Sequence, residues 1–408
     1  MTAAILLAVS LLLALAFAFA DAEPVRNPHL VAESLGHQER SLDARQTALP
    51  PNQGRFSFYP VNTPASGPCD LAYSPADGNL YGEEQFINQL FQLNPRTGKV
   101  IEYPIPFATP VSNATFGAIP APLGDRTKFS CAIRNGADGN IYASNGVNNQ
   151  LVQLRLRDKR IRLFQNPTNP AGNLFPFNDL YTDSQGMWVT QTTGNILQYF
   201  SYAQQQFVTS LQRTIPTGGS LPLGVFVASD GVVYGCEVLG NKIFTFDKRT
   251  GTLREYNLPK PLQAPSVVRA EKNGWVYFTL LFGNGMGRIN MKSKAIELYP
   301  TNQTPGFGSV NTGPANDGRV YMSYFASVNA LAGFDDQTNT YTYVPFPNSL
   351  AQYGFPGAVG AVPPYFNIAV NYKPGNALWF SSPTFNAIGR YSVPNRSKAK
   401  RGEMEAEE

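Results

Sequence analysis

The stretch GPCDLAYSPADGNLYGEE, residues 67–84, sets a thiol beside a carboxyl at Cys69-Asp70 and closes on two acids, Glu83-Glu84. A cysteine nucleophile needs a neighbouring base to hold it as thiolate. The only histidines are His29 and His37, so the body of the chain offers no imidazole and cysteine catalysis is set aside. Cys69, Cys131 and Cys236 form no C-x-x-C and no Cys/His cluster of metal-site spacing. Carboxylates remain. Glu84 and Glu237 are the candidate catalytic residues, as proton carriers. With Asn145 and Gln191 they could instead share a hard divalent cation, Mg or Ca, through oxygen ligands. The plainer alternative is a pair of solvated carboxylates on a rim.

These residues recur at fixed places in a repeat. DGNLY at 77–81 returns as DGNIY at 138–142, DGVVY at 230–234 and DGRVY at 317–321, with looser copies QGMW, NGWVY and GNALW at 185, 273 and 375. A second element follows each anchor, for example NQLFQLNPRTGKVIEYPIP from Asn88, NQLVQLRLRDKRIRLFQNP from Asn149 and NKIFTFDKRTGTLREYNLP from Asn241. Each reads as an alternating strand, a turn and another alternating strand. Four short antiparallel strands per unit, seven times over, predict an all-β seven-bladed β-propeller across 54–394. The last unit lacks a fourth strand, and GRFSFYPVNTP at 54–64 resembles the fourth strands of the others. Residues 55–61 are therefore expected to close the last blade.

In such a meander the turns after the second strands and the connections between blades emerge on one face, here called the top. The two longest connections, 104–129 and 345–366, are rich in Pro, Gly and aromatics and are expected to wall a pocket there. Aligning the anchors puts Glu84, Asn145, Gln191, Glu237, Leu280, Tyr324 and Ser382 at equivalent second-strand ends. A companion ring near the starts of the inner strands holds Cys69, Cys131, Asn178, Leu223, Ser266, Gly308 and Phe366. Together with Asp70 and Asp179, these rings are the candidate mouth lining, polar and without an evident cation partner. Glu84 and Glu237, three blades apart, are expected to face each other across the channel. Cys69 and Cys131 fall at equivalent places in adjacent inner strands, where a disulfide would staple blades one and two; the alternative is that they stay unbridged.

The 408-residue chain opens with a short apolar run ending in Ala18-Phe19-Ala20. That pattern predicts a signal peptide over 1–20, the alternative being an uncleaved anchor. Sequons at Asn113, Asn302 and Asn395 agree with a secreted, extracellular glycoprotein. Residues 21–53 form a polar arm in which Arg45-Gln46 is either a processing site or part of a disordered lead-in. Residues 395–408 form a charged, disordered tail. The arm carries three basic and five acidic groups over 21–45 and the tail four acids, so 46–401 hold about +10 of a total of +4. That charge is spread out, with no Lys/Arg run interleaved with aromatics, which argues against nucleic acid as a partner. No membrane contact is expected after signal removal, and a monomer is expected.

The stretch GPCDLAYSPADGNLYGEEQFINQLFQLNPRTGKVIEYPIP resembles one blade of the streptogramin B lyases, whose repeat runs close to GPHGIAVDPDGNVWFTE…NRIGRIDPKTGKVTEYPLP. The resemblance spans about 54–394 at repeat level and implies architecture before activity. It implies seven blades around a site with catalytic histidines, an acidic residue and a divalent metal, opening a cyclic depsipeptide by elimination at an ester. Glu84 and Glu237 match the Glu of WFTE. Cys69 and Cys131 stand where the GPH histidine would be, so the family's base is missing here. The leading expectation is a propeller binding a small organic ligand (a lactone, a cyclic peptide or another natural product) on its top face, with any lyase- or cyclase-type step independent of His. Competing readings are a non-catalytic protein- or glycan-binding propeller and a metal-dependent sugar-lactone hydrolase, whose cage would be Asp70, Asp179, Glu84 and Asn145.

Overall fold

The computed structural model describes residues 52, 54–64, 66–85, 87–106, 131–145, 149–168, 179–301, 306–326, 330–347, 370–383 and 385–394. The signal peptide, most of the arm with Arg45-Gln46, the three sequon asparagines, Asn178, Phe366 and the tail lie outside the described residues, as do the middles of the two long connections.

Seven antiparallel sheets form in chain order. Blade one runs Pro68–Tyr73, Leu80–Glu84, Gln89–Leu93 and Val100–Pro104 from the axis outward. Blades two to six repeat this order, their second strands being Ile141–Asn145, Gly186–Gln191, Val232–Glu237, Trp275–Leu280 and Val320–Ala326. Blade seven takes Val370–Tyr372, Ala377–Ser382 and Ala387–Ser392 from the C-terminal end and Phe56–Pro60 from the N-terminal end. The closing register runs from Phe56 opposite Tyr391 to Pro60 opposite Ala387, as the sequence anticipates. Inner strands of consecutive blades touch in an unbroken circuit, the seventh against the first.

The repeat's chemistry explains its persistence. The glycine of the DG pair has positive φ at Gly78, Gly139, Gly231 and Gly318, a conformation that a Cβ would strain. The aspartate before it accepts a hydrogen bond from the tyrosine four residues on: Tyr81 Oη to Asp77 at 2.6 Å, Tyr142 to Asp138 at 2.8 Å, Tyr234 to Asp230 at 3.0 Å and Tyr321 to Asp317 at 2.7 Å. In blade three Trp188 Nε1 donates to Asp183 at 3.1 Å in the same role. The aromatic body is buried while its polar tip is satisfied by the turn it follows.

The asparagine that opens each third element has a second task. Asn88, Asn149, Asn195, Asn241, Asn284 and Asn386 all sit at positive φ in the top turns. Their amides reach the chain entering the next blade: Asn195 Nδ2 donates to the Ile215 and Thr217 carbonyls, and Asn386 Nδ2 to that of Thr63. Asn88, Asn149 and Asn241 donate likewise to the Ile105, Thr168 and Lys260 carbonyls, and Asn386 makes its link across the closure. Between blades lie seven apolar clusters, one per seam; Phe56, Phe58, Tyr321, Phe346, Phe380 and Tyr391 fill that between blades six and seven.

Candidate functional site

Six of the seven aligned top positions are the last residues of their second strands: Glu84, Asn145, Gln191, Glu237, Leu280 and Ser382. Each pairs with the first residue of the third strand five positions on, as Glu84 does with Gln89 and Glu237 with Lys242. Tyr324 lies within its strand, opposite Ala330. The ring's placement follows the sequence, but its exposure does not. Glu84, Asn145, Gln191, Glu237 and Ser382 are fully buried, so neither glutamate is a solvated rim carboxylate.

The polar groups around each glutamate belong to its own blade and to the segment leading into it. Each lies on the flank of its blade in a locally repeated setting. In blade one Gln89 Nε2 donates to a Glu84 oxygen and to Thr63 Oγ1. Thr63 donates through its amide and hydroxyl to Glu102 of the outer strand, at 2.8 and 2.7 Å. Ser66 donates through its amide and hydroxyl to Asn386 of blade seven. Blade four copies this with Lys242 in place of Gln89. There Lys242 Nζ reaches Thr217 Oγ1 at 2.5 Å and Glu255 at 2.9 Å, Thr217 donates to Glu255, and Ser220 to Asn195 of blade three. Gly240 crowds Glu237, since a Cβ there would lie 2.6 Å from its Oε2.

The electrostatics follow from that burial. Glu84 Oε1 and both oxygens of Glu237 are buried without a hydrogen bond among the described residues. Loss of water pushes the Glu84 carboxyl up to about 8, and the nearby Glu102 charge adds to the rise. Burial, with Glu255 adding, pushes Glu237 up to about 7, against the pull of Lys242. Both groups therefore sit in the range where a carboxyl can give or take a proton near neutral pH. The repeated setting has a sequence signal: T-x-x-S-x-P occurs as Thr63 to Pro68 and again as Thr217 to Pro222, ahead of these two blades.

Asp70 and Asp179 have cation partners that the sequence reading missed. Arg134, from the inner strand of blade two, ion-pairs with Asp70 and reaches Asp179 at 3.4 Å. Arg269, from the inner strand of blade five, ion-pairs with Asp179 and donates to the Val225 carbonyl at 2.8 Å. The remaining carboxylate capacity goes to backbone: Leu71 and Ile133 N–H to Asp70, Val225 N–H to Asp179. The result is an alternating Asp–Arg–Asp–Arg chain along the inner strands, all four at 5–6% exposure. Desolvation raises Asp179 to about 7, with Arg134 opposing it.

This chain corrects the expected metal cage. The oxygens of Asp70 and Asp179 are committed to guanidinium and backbone donors, Asn145 Nδ2 turns to Gln150 at 3.4 Å, and Glu84 lies at a seam. Among the described residues no group of three or more His, Cys, Asp or Glu side chains is arranged to hold a metal ion. The described residues do not fit the divalent metal that the streptogramin-lyase resemblance implies. Gln191 likewise serves a turn, its Nε2 donating to Asn149 Oδ1 at 2.7 Å. Cys69 and Cys131 form a disulfide between the inner strand of blade one and the approach to blade two, Cα atoms 5.4 Å apart. Cys236 is free and buried, and desolvation raises its thiol well above the usual range.

No protein-family model and no curated protein matches the chain. Solved structures do. A streptogramin B lyase superposes with a TM-score of 0.65 at 18% identity, over 82% of this chain and 96% of that one. Virginiamycin B lyase from Staphylococcus aureus gives 0.65 at 15%, over 83% and 99%. U3-55K, at 7% identity, still reaches 0.60 over 84% and 100%. At these identities the likeness is one of architecture: this chain is a seven-bladed β-propeller with the fold of the streptogramin B lyases.

Proposed function

We propose that the chain is a secreted propeller that binds a small organic ligand, a lactone or cyclic peptide in class, on its top face. The observation that supports this reading is where the two long connections are rooted. Val100–Pro104 ends, and Ile133–Asn135 begins, at the end of the blades where Glu84 and Asn145 lie. Thr340–Pro345 and Val370–Tyr372 bracket the second connection at the same end, beside Ser382. A rigid ring that roots its two longest connections on one face is the usual design of a binding site.

The imidazole chemistry of a lyase is not carried over, since no histidine follows His37. Any elimination or cyclisation at this face is therefore independent of His, and the buried Glu84 and Glu237 do not meet the ligand directly. Thermal-shift and turnover assays with a cyclic depsipeptide lactone, a sugar lactone and linear controls, with and without chelator, test the reading. The expected result is a chelator-insensitive stabilisation by a lactone or cyclic peptide, abolished when 107–128 is replaced by a short Gly-Ser link. No stabilisation by any member of the panel would overturn it, and turnover that chelator removes would restore the metal-dependent hydrolase reading.

A further inference from the structure

Blade three departs from the repeat on the opposite, bottom face. The outer strands of the other six blades are continuous, whereas here the outer edge is broken into Gln206–Phe207 and Arg213–Thr214, both paired with Ile196–Ser201. A 3-10 turn, Thr209–Leu211, fills the break. Beside it opens a cavity of about 550 Å³, bounded by the bottom turns of blades two and three and by Lys248 of blade four. That volume is in the range of small-ligand sites.

The lining has two characters. One wall is apolar, made by Val208, Leu211 and the ring of Tyr202, which packs at a tilt against Tyr142 with centroids 5.2 Å apart. The other is neutral and polar, made by Ser184, Gln185 and Gln204, all exposed. Gln185 Oε1 accepts from Lys248 at 3.2 Å, and its backbone N–H donates to Asp183 at 2.8 Å. Lys248 brings no net charge, because its ammonium is 3.2 Å from Asp183 and lies 4.1 Å from the centre of the Tyr199 ring. Asp138, the acid in the lining, is taken up by Tyr142 and Asn140.

We propose that this cleft is a saccharide-binding site, separate from the top face. A phosphate or other anion would need an uncompensated positive charge, and the lining has none. A wholly apolar ligand would strip water from the amides of Gln185 and Gln204 without replacing those hydrogen bonds. A short neutral oligosaccharide matches both walls: its C–H face lies on Tyr202 and Leu211, and its hydroxyls exchange hydrogen bonds with neutral amides and Ser184. The broken strand is what makes room for it, since a continuous outer strand would close this edge.

Saturation-transfer NMR on the full chain with maltotriose, cellotriose, chitotriose and mannotriose at millimolar concentration tests the site. At least one trisaccharide is expected to show transfer. Ala203→Trp, on the exposed turn that borders the cleft, is expected to abolish it. The pair Gln185→Ala and Gln204→Ala, losing two hydrogen bonds, weakens binding by about tenfold or more. Unfolding midpoints of these surface variants stay at the parent value, and Glu84→Gln, on the other face, leaves binding unchanged. Transfer from none of the four sugars, or transfer that survives Ala203→Trp, would overturn the proposal.

Discussion

Removing the side chains that close the ring should unfold all of it. Phe56 and Phe58, from the N-terminal strand, are 7% and 8% exposed and pack on Tyr391, Phe346 and Phe380 of the last two blades. Truncating a buried Phe to Ala costs about 3–5 kcal/mol. Both rings contact Phe380, so the losses are coupled, and the double variant should cost about 6–8 kcal/mol. That is comparable with the whole stability of an ordinary domain, about 5–15 kcal/mol. The three tryptophans, Trp188, Trp275 and Trp379, fall in blades three, five and seven and report on separate sectors of the ring. Urea titrations of single-Trp versions of Phe56→Ala/Phe58→Ala, followed by fluorescence, are expected to show all three probes moving to the same lower midpoint. If Trp379 alone shifts while Trp188 keeps the parental midpoint, the strand merely pads one blade and the reasoning from closure is wrong.

Other expectations follow from buried charge and covalent links. Arg134→Met leaves Asp70 and Asp179 without a shared cation and should cost about 3–5 kcal/mol, whereas Asp70→Leu/Arg134→Met together should cost less; chemical denaturation of both checks this. Glu84 and Glu237 hold their protons more tightly folded than unfolded. Their contribution is therefore fully present below about pH 4.5 and is lost as the pH rises, through about 7 for Glu237 and about 8 for Glu84. The Glu84 part amounts to about 1.4 kcal/mol per pH unit within that window, and Glu84→Gln should flatten the profile measured by urea unfolding at each pH. Gln89→Lys, which copies the Lys242 arrangement, should move the Glu84 titration to lower pH, readable by carboxyl-labelled NMR. Reducing the Cys69–Cys131 bridge, whose ends are 62 residues apart, should lower stability by about 4 kcal/mol; alkylation without reductant under denaturing conditions should modify Cys236 alone.

The blades were legible because each carries its own local chemistry. A DG turn that bonds the tyrosine four residues later, and an asparagine in the left-handed region that opens the third strand, are short-range devices, and short-range devices repeat visibly in a sequence. The closing strand 56–60 was legible for the same reason, since a fourth-strand pattern stood at the wrong end of the chain. The positions of Glu84 and Glu237 at the second-strand ends could be counted from the anchors. Their burial could not, because alternation says which side of a blade a residue occupies and not what the neighbouring blade lays over it. The partners of Asp70 and Asp179 were hidden by distance: Arg134 and Arg269 come from strands 64 and 90 residues further on. A faint signal existed, since each arginine directly follows an apolar residue of an inner strand, Ile133 or Val268, where an unpaired charge is not tolerated. The cleft under blade three left no repeat-level signal, being made by the one segment that breaks the repeat.

Locating the bound ligand tests the central claim most directly. Hydrogen–deuterium exchange, with the tightest lactone or cyclic peptide from the panel at saturation, reports which turns become protected. The account predicts protection in the top turns around Asn88, Asn149, Asn195 and Asn241 and in peptides from 104–129 and 345–366, with the DG turns at 77, 138, 230 and 317 unchanged. Protection confined to those DG turns, or none on either face, would contradict it.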